Sequence, residues 1–188
     1  MYHFDSKAQV EEYVRSLGLP AVFFMAGFYM SNIPGAMFRQ SPPDNAWTLA
    51  IPTPSTAKIP LFDAHRDTGK YVKGIVLADR EAVLGKQIYS ATAYTSGDEI
   101  VEAFKKTYPE AGATAKYFHT PDDMFRGIMK GMGRPDFIVE EMLENMHLLD
   151  SPGYYGGESL DFGHSLLKDK LTTWEEHMTL APAFKDLK

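Results

Sequence analysis

Lys7 and the run Gly27-Phe28-Tyr29-Met30-Ser31-Asn32 are the residues of this chain whose types and spacing best suit chemistry. Lys7 falls on the first turn of a helix that precedes a continuously apolar run, Ala21–Ala26. Its ammonium can therefore reach the carboxy-terminal edge of the strand which that run forms, and ligands of open α/β sheets sit at such edges. A lysine there acts as a general base when burial lowers its pKa, or it hydrogen-bonds a ribose; the plainer alternative is a solvated surface lysine. The run from Gly27 to Asn32 leaves the same strand end with aromatic faces and amide and hydroxyl partners. That set suits a planar ring, with core packing followed by a loop as the plainer alternative.

Other chemistry finds little support. The histidines His3, His65, His119, His147, His164 and His177 are scattered, and none has a second His or carboxylate at the one-turn spacing of common metal motifs, so no metal site is expected. Asp63 with His65 and Glu176 with His177 read as sequence neighbours only. Asp122-Asp123 and Glu140-Glu141 read as a helix start favoured by the macrodipole and as a solvated face. Neither a G-x-G-x-x-G turn nor a P-loop occurs, and the glycines from Gly153 to Gly157 follow a predicted helix and read as a mobile loop. Methionines between 124 and 146 suit an adaptable apolar pocket or simple core packing.

The elements that must position Lys7 and the 27–32 run are marked by caps and breakers. Ser6 with Gln9 predicts a capping box, with Val10, Tyr13, Val14 and Leu17 on one face and Gly18 as the stop. Ala21–Ala26 predicts a strand buried on both faces. A proline-rich connection follows, with one short strand over Ala46–Ile51. Asp67 predicts an N-cap, with Tyr71, Val72, Ile75 and Val76 as the buried stripe of its helix; a strand is expected over Gln87–Tyr94. Ser96 with Glu99 predicts a second capping box, and Ile100, Val101, Phe104 and Tyr108 run to Pro109. A strand over Ala115–His119 is followed by Thr120-Pro121 as N-cap and first helical residue, by a helix opening at Pro135, and by a last helix capped by Thr172 with Glu175. Strands alternating with helices predict an α/β or α+β fold.

Composition sets the outer limits. The 188 residues are 44% hydrophobic and 23% charged, with 19 Lys plus Arg, 25 Asp plus Glu, a net charge of −6 and no cysteine. No apolar run is long enough for a membrane span, and no basic cluster stands ready to neutralise a phosphate backbone, so neither membrane nor direct nucleic-acid binding is expected. Without cysteines, disulfides and thiol catalysis are excluded, and the amino terminus lacks a signal pattern, which together predict a cytoplasmic protein.

His3-Phe4-Asp5-Ser6-Lys7, Val10-Glu11-Glu12-Tyr13, Gly18-Leu19-Pro20, Ala26–Asn32, Ile59-Pro60-Leu61-Phe62-Asp63, Asp67-Thr68-Gly69-Lys70 and the closing Leu171-Thr172-Thr173-Trp174-Glu175-Glu176-His177 resemble, in order and spacing, the NmrA-like family. These atypical short-chain dehydrogenase relatives include fungal nitrogen-repression regulators and a redox sensor. The resemblance implies an α/β fold: residues 1–34 as the last helix and strand of a Rossmann-like parallel sheet, and residues 35–188 as a smaller α+β carboxy-terminal domain, with 67–94 packing back on the sheet. It implies NADP as cofactor, Lys7 on the nicotinamide ribose, and Gly27, Phe28, Tyr29, Ser31 and Asn32 in the loop against the nicotinamide. His3 falls where short-chain dehydrogenases carry their catalytic tyrosine, so His3 and Lys7 are the catalytic pair if the protein is an enzyme.

The glycine-rich half of the Rossmann fold has no counterpart in this sequence, so weak or absent binding of NADP is expected for the chain alone. The leading expectation is an NAD(P)-linked redox-sensing or transcriptional co-regulator, cytoplasmic or nuclear, whose partner is a transcription factor or another protein. The alternatives are an NAD(P)H-dependent reductase acting on a small aromatic or polyketide-like ligand, and an oligomerising interaction module without cofactor. An interrupted sheet also predicts a homo-oligomer.

Overall fold

Short apolar runs between prolines and glycines form eight strands, and the amphipathic segments between them form helices, in a computed structural model that describes residues 1–188. In chain order these are α1 (Tyr2–Ser16), β1 (Phe23–Ala26), β2 (Phe28–Tyr29), β3 (Phe38–Ser41), β4 (Ala46–Ile51), β5 (Ile59–Phe62), α2 (Ala64–Leu77), α3 (Arg80–Val83), β6 (Gln87–Ser90) and β7 (Ala93–Thr95). They continue with α4 (Gly97–Thr107), β8 (Lys116–His119), α5 (Asp122–Gly131), α6 (Asp136–His147), α7 (Asp161–Ser165) and α8 (Trp174–Leu180), with 3-10 turns at Met30–Asn32 and Pro182–Phe184. The α/β class expected from the sequence is the one observed.

β1 pairs in parallel with β6, Phe23 opposite Gln87 and Ala26 opposite Ser90. One residue later the chain changes partner: β2 pairs in parallel with β5, and β5 in turn with antiparallel β7. Gly27 is the hinge of that change. A Cβ there would lie 2.4 Å from the Pro60 carbonyl oxygen and 3.1 Å from Ala91 Cβ, so only glycine lets the two backbones approach. A separate sheet, β3-β4-β8, pairs β4 antiparallel with β3 and parallel with β8.

The main core lies between that sheet, β2-β5-β7, α4 and α8. Phe104 sits at its centre, fully buried, with ring centroids 4.6 Å from Phe38, 5.3 Å from Trp47 and 5.1 Å from Phe184. Removing about 200 Å² of such a ring from water contributes on the order of 5 kcal/mol before side-chain entropy is charged. A smaller cluster, Phe62, Tyr71 and Ile88, joins α2 to β5 and β6.

Several caps fall one step from where the sequence puts them. Ser6 does not cap α1: the terminal ammonium pairs with Asp5 at 3.2 Å, the helix begins at Tyr2, and the Ser6 hydroxyl donates instead to the His3 carbonyl. The α1 stripe is not buried either, with Val10 60%, Tyr13 65% and Leu17 53% exposed. β1 is half-buried throughout, not buried on both faces, and β6 is its only strand partner.

α2 is capped by Asp63, whose Oδ1 accepts from the His65 and Arg66 amides, so Asp67 lies inside the helix. Fully buried, Asp67 accepts from the Thr172 amide and hydroxyl and from Lys70 Nζ. Thr172 is spent on that bond, and the last capping box moves one residue on, to Thr173 with Glu176. Val72 and Val76 of the expected α2 stripe face solvent. Thr120 donates its amide to the Ile51 carbonyl in line with β8 and leaves α5 uncapped by a side chain. The strand expected over 87–94 is broken into β6 and β7 by the switch of partners. The predicted box of Ser96 with Glu99 is present in both directions.

Candidate functional site

α1 runs antiparallel to β1. At its carboxy-terminal end Arg15 donates to the Gly85 carbonyl and lies over the Phe23 ring, 4.3 Å from its centroid. At its amino-terminal end the Phe4 ring meets Tyr154 at 5.8 Å, and the neighbouring Tyr155 hydroxyl donates to the Met25 carbonyl at 2.7 Å. Burial pushes both phenols up, so they remain neutral packing groups near pH 7. The loop holding them is thus anchored on β1 and not free. Lys7 stands between these ends on the second turn of α1, exposed and without a hydrogen bond.

The 27–32 segment divides by burial. Gly27 is fixed against β5, and the Phe28 ring turns inward to join the main core. Tyr29, 44% exposed, is the aromatic left open, supported by Phe62 at 6.3 Å, and Ser31 and Asn32 follow it exposed on the 3-10 turn. The surface past the carboxy end of β1 therefore offers one aromatic face, one hydroxyl and one amide, at the point where the strands change partners.

His3 is four residues before Lys7, on the same side of α1. Its amide donates to Glu141 Oε1 at 2.7 Å and its Nδ1 bonds the same oxygen, which ties α1 to α6. These two bonds from His3, the amide first, hold the Glu141 carboxyl below its usual range. With Nδ1 engaged, any proton transfer by His3 runs over Nε2. Tyr2, His3, Ile138, Glu141, Met142 and Asn145 line an adjoining cavity of about 530 Å³. Asn145 Oδ1 there is buried without a hydrogen-bond partner.

A second constellation was invisible in the sequence. His177 on α8 and Asp63 at the start of α2 are 114 residues apart and meet at 2.9 Å, Nδ1 to Oδ2. Arg66 Nη1 donates to the same Oδ2 at 3.0 Å. Burial pushes the Asp63 carboxyl up, but the bonds from His177 and Arg66 outweigh it and hold the group below its usual range. The His177 ring stacks on Trp174, 5.8 Å away at 18°. No spacing rule could have joined Asp63 to His177. The local signal was only that each is a polar residue beside an apolar one.

Comparison with known proteins follows the same lines. A model described as the NmrA-like family matches residues 1–178. The nitrogen metabolite repression protein nmr of Neurospora crassa is 30% identical over 181 residues, covering 90% of this chain and 35% of that protein. NmrA, a negative transcriptional regulator, in its crystal complex with NAD matches with a TM-score of 0.65 at 20% identity, covering 95% of this chain and 56% of that one. Its complex with NADP gives a TM-score of 0.65 at 21% identity over the same shares. Isoflavone reductase gives 0.60 at 14% identity, over 95% of this chain and 58% of that one. The chain spans about a third of the curated relative it matches. No helix in it is long and apolar enough to cross a membrane.

Proposed function

The chain belongs to the NmrA-like family, and on that footing we propose that it supplies the nicotinamide-facing part of a regulator that reads NAD(P) and answers to a protein partner. The observation that carries this reading is the set of exposed groups that follows the carboxy end of β1. Gly27 seats the strand end tightly against β5, Tyr29 offers a ring face, and Ser31 and Asn32 offer polar partners, while Lys7 on the preceding helix carries an exposed ammonium without a hydrogen bond. These groups fit the nicotinamide ribose end of a dinucleotide: Lys7 for the ribose hydroxyls, Tyr29 against the ring, Asn32 and Ser31 for the carboxamide. When bound, the nicotinamide supplies a ring that is cationic when oxidised and neutral when reduced, a difference a sensor can use. Phe28 belongs to the core behind these groups and not to the surface.

The relatives support the regulatory half of the proposal by name: one is a nitrogen metabolite repression protein, another a negative transcriptional regulator solved with NAD and with NADP. The adenosine and pyrophosphate need an anion site that these 188 residues do not contain, since no glycine-rich strand-to-helix turn is present. Calorimetric titration of the chain with NADP, NADPH and NAD tests the reading. Binding weaker than about −6 kcal/mol, in the high-micromolar range or above, is expected, and Lys7→Met should weaken it further. Submicromolar binding, or binding indifferent to Lys7, overturns the placement.

A further inference from the structure

Bordered by Ser31, a cavity of about 390 Å³ opens between the start of α2 and the end of α8. Its polar lining is Ser31, Arg66 and His177, and its apolar wall is Pro34, Leu180 and Pro182. We propose that this cavity binds a small amphiphilic carboxylate, held by the Arg66 guanidinium and the Ser31 hydroxyl beside the His177 ring, with its apolar body against the prolines and Leu180. This goes beyond the nicotinamide reading and does not depend on it.

The argument starts from the hydrogen bonds the cluster leaves unmade. Arg66 spends only Nη1, on Asp63 Oδ2, so the side-on edge formed by Nε and Nη2 has no partner. That edge matches the two oxygens of a carboxylate. Asp63 is an acceptor only, so the His177 proton shared with it sits on Nδ1, and Nε2 makes no hydrogen bond. Because Arg66 and His177 bond the same Asp63 oxygen, the guanidinium and the imidazole lie side by side at the cavity. The Ser31 hydroxyl makes no hydrogen bond either, so the guanidinium edge and this hydroxyl are the donors free to meet a carboxylate.

The free edge of Arg66 offers one pair of parallel donors, which suits a single carboxylate. The volume admits a ring-sized apolar group, which separates this site from a surface arginine that merely collects anions.

Sodium benzoate and its neutral analogue benzyl alcohol are the probes, titrated to about 10 mM, on the order of a weak fragment's Kd, into the isotope-labelled full chain. The His177 ring and Arg66 Nε signals are followed by NMR. Benzoate should shift both signals saturably, acetate should bind several-fold more weakly for want of the apolar wall, and benzyl alcohol should leave both signals in place. Arg66→Gln should weaken benzoate about tenfold or more, and Arg66→Lys, which keeps the charge and the fold but loses the side-on fork, should weaken it several-fold. A cluster that only clamps α2 to α8 predicts no saturable shift. That result overturns the proposal, as does equal response to benzyl alcohol, equal affinity for acetate, or unchanged affinity in both Arg66 variants.

Discussion

α1 and α4 have the same kind of sequence and opposite fates. Each carries apolar residues at helical spacing, Val10, Tyr13, Val14 and Leu17 in one and Ile100, Val101, Phe104 and Tyr108 in the other. α4 buries its stripe against β4, β8 and α8, whereas α1 buries no residue at all. The strands divide in the same way: β4 is hydrogen-bonded along both edges, β1 along one. Periodicity reports which face of a helix is apolar. What covers that face depends on packing partners from elsewhere, and here the carboxy-terminal body has them while the amino-terminal helix and strand have few.

The largest test of this contrast is truncation on each side of it. Phe104→Ala, which leaves a cavity among Phe38, Trp47 and Phe184, should cost about 3–5 kcal/mol in denaturant unfolding, against less than about 0.5 kcal/mol for Val10→Ala. Equal losses would mean that α1 is far better packed than its exposure indicates. Next comes the seam joining α2 to the segment before α8. Asp67→Ala strips the buried acceptor from Thr172 and Lys70 and should cost about 3 kcal/mol, while Asp67→Asn, which keeps an acceptor, should cost less. A near-neutral Asp67→Ala would show that Thr172 finds water instead.

What the sequence made legible was local. The Ser96 and Glu99 capping box, β4 and β8 follow from residues within a few positions of one another, and so does the apolar character of both helices. What escaped it was set by distant partners. Thr172 looked like the last helix cap and is taken by Asp67, 105 residues away, which hands the cap to Thr173. Gln87–Tyr94 looked like one strand and is split because Gly27 brings a second partner alongside. At the candidate site, Lys7, Tyr29, Ser31 and Asn32 could be picked out as chemistry near a strand end. Phe28 could not be told from Tyr29 until the pleat sent one ring inward. Asp63, Arg66 and His177 come together only in the folded chain.

A smaller, pH-dependent effect belongs to the well-packed side. The Ser96 amide first, then Lys58 and the Ser96 hydroxyl, hold the Glu99 carboxyl down at about 2. A depressed carboxyl stabilises the fold above its ordinary pKa and loses that contribution as pH falls, here between about 4.5 and 2. Glu99 is more than half exposed, so solvent screening reduces the gain to about 1 kcal/mol. Glu99→Gln should therefore be less stable than the parent by about that amount at pH 6 and converge with it near pH 2. A pH-independent difference would assign the cap's value to the Ser96 hydroxyl alone.

The smallest effect on folding, and the sharpest on the contrast itself, is expected at the α1 face. Tyr2, Val10, Tyr13, Leu17 and Leu19 are all more than half exposed, and β1 beside them keeps one edge without a strand partner. An apolar stripe next to an open parallel edge favours association, and a second copy of the chain offers the same face for a two-fold contact. Sedimentation at tens of micromolar should show a dimer or larger species. Val10→Glu with Tyr13→Glu should return the chain to monomer while changing its unfolding free energy by no more than about 0.5 kcal/mol, since neither side chain is buried. The pairing of those two outcomes is what matters. If the double variant unfolds early, α1 contributes to the fold more than its exposure shows; if the parent is already a cleanly unfolding monomer, the stripe tolerates water and the difference between α1 and α4 carries no consequence for assembly.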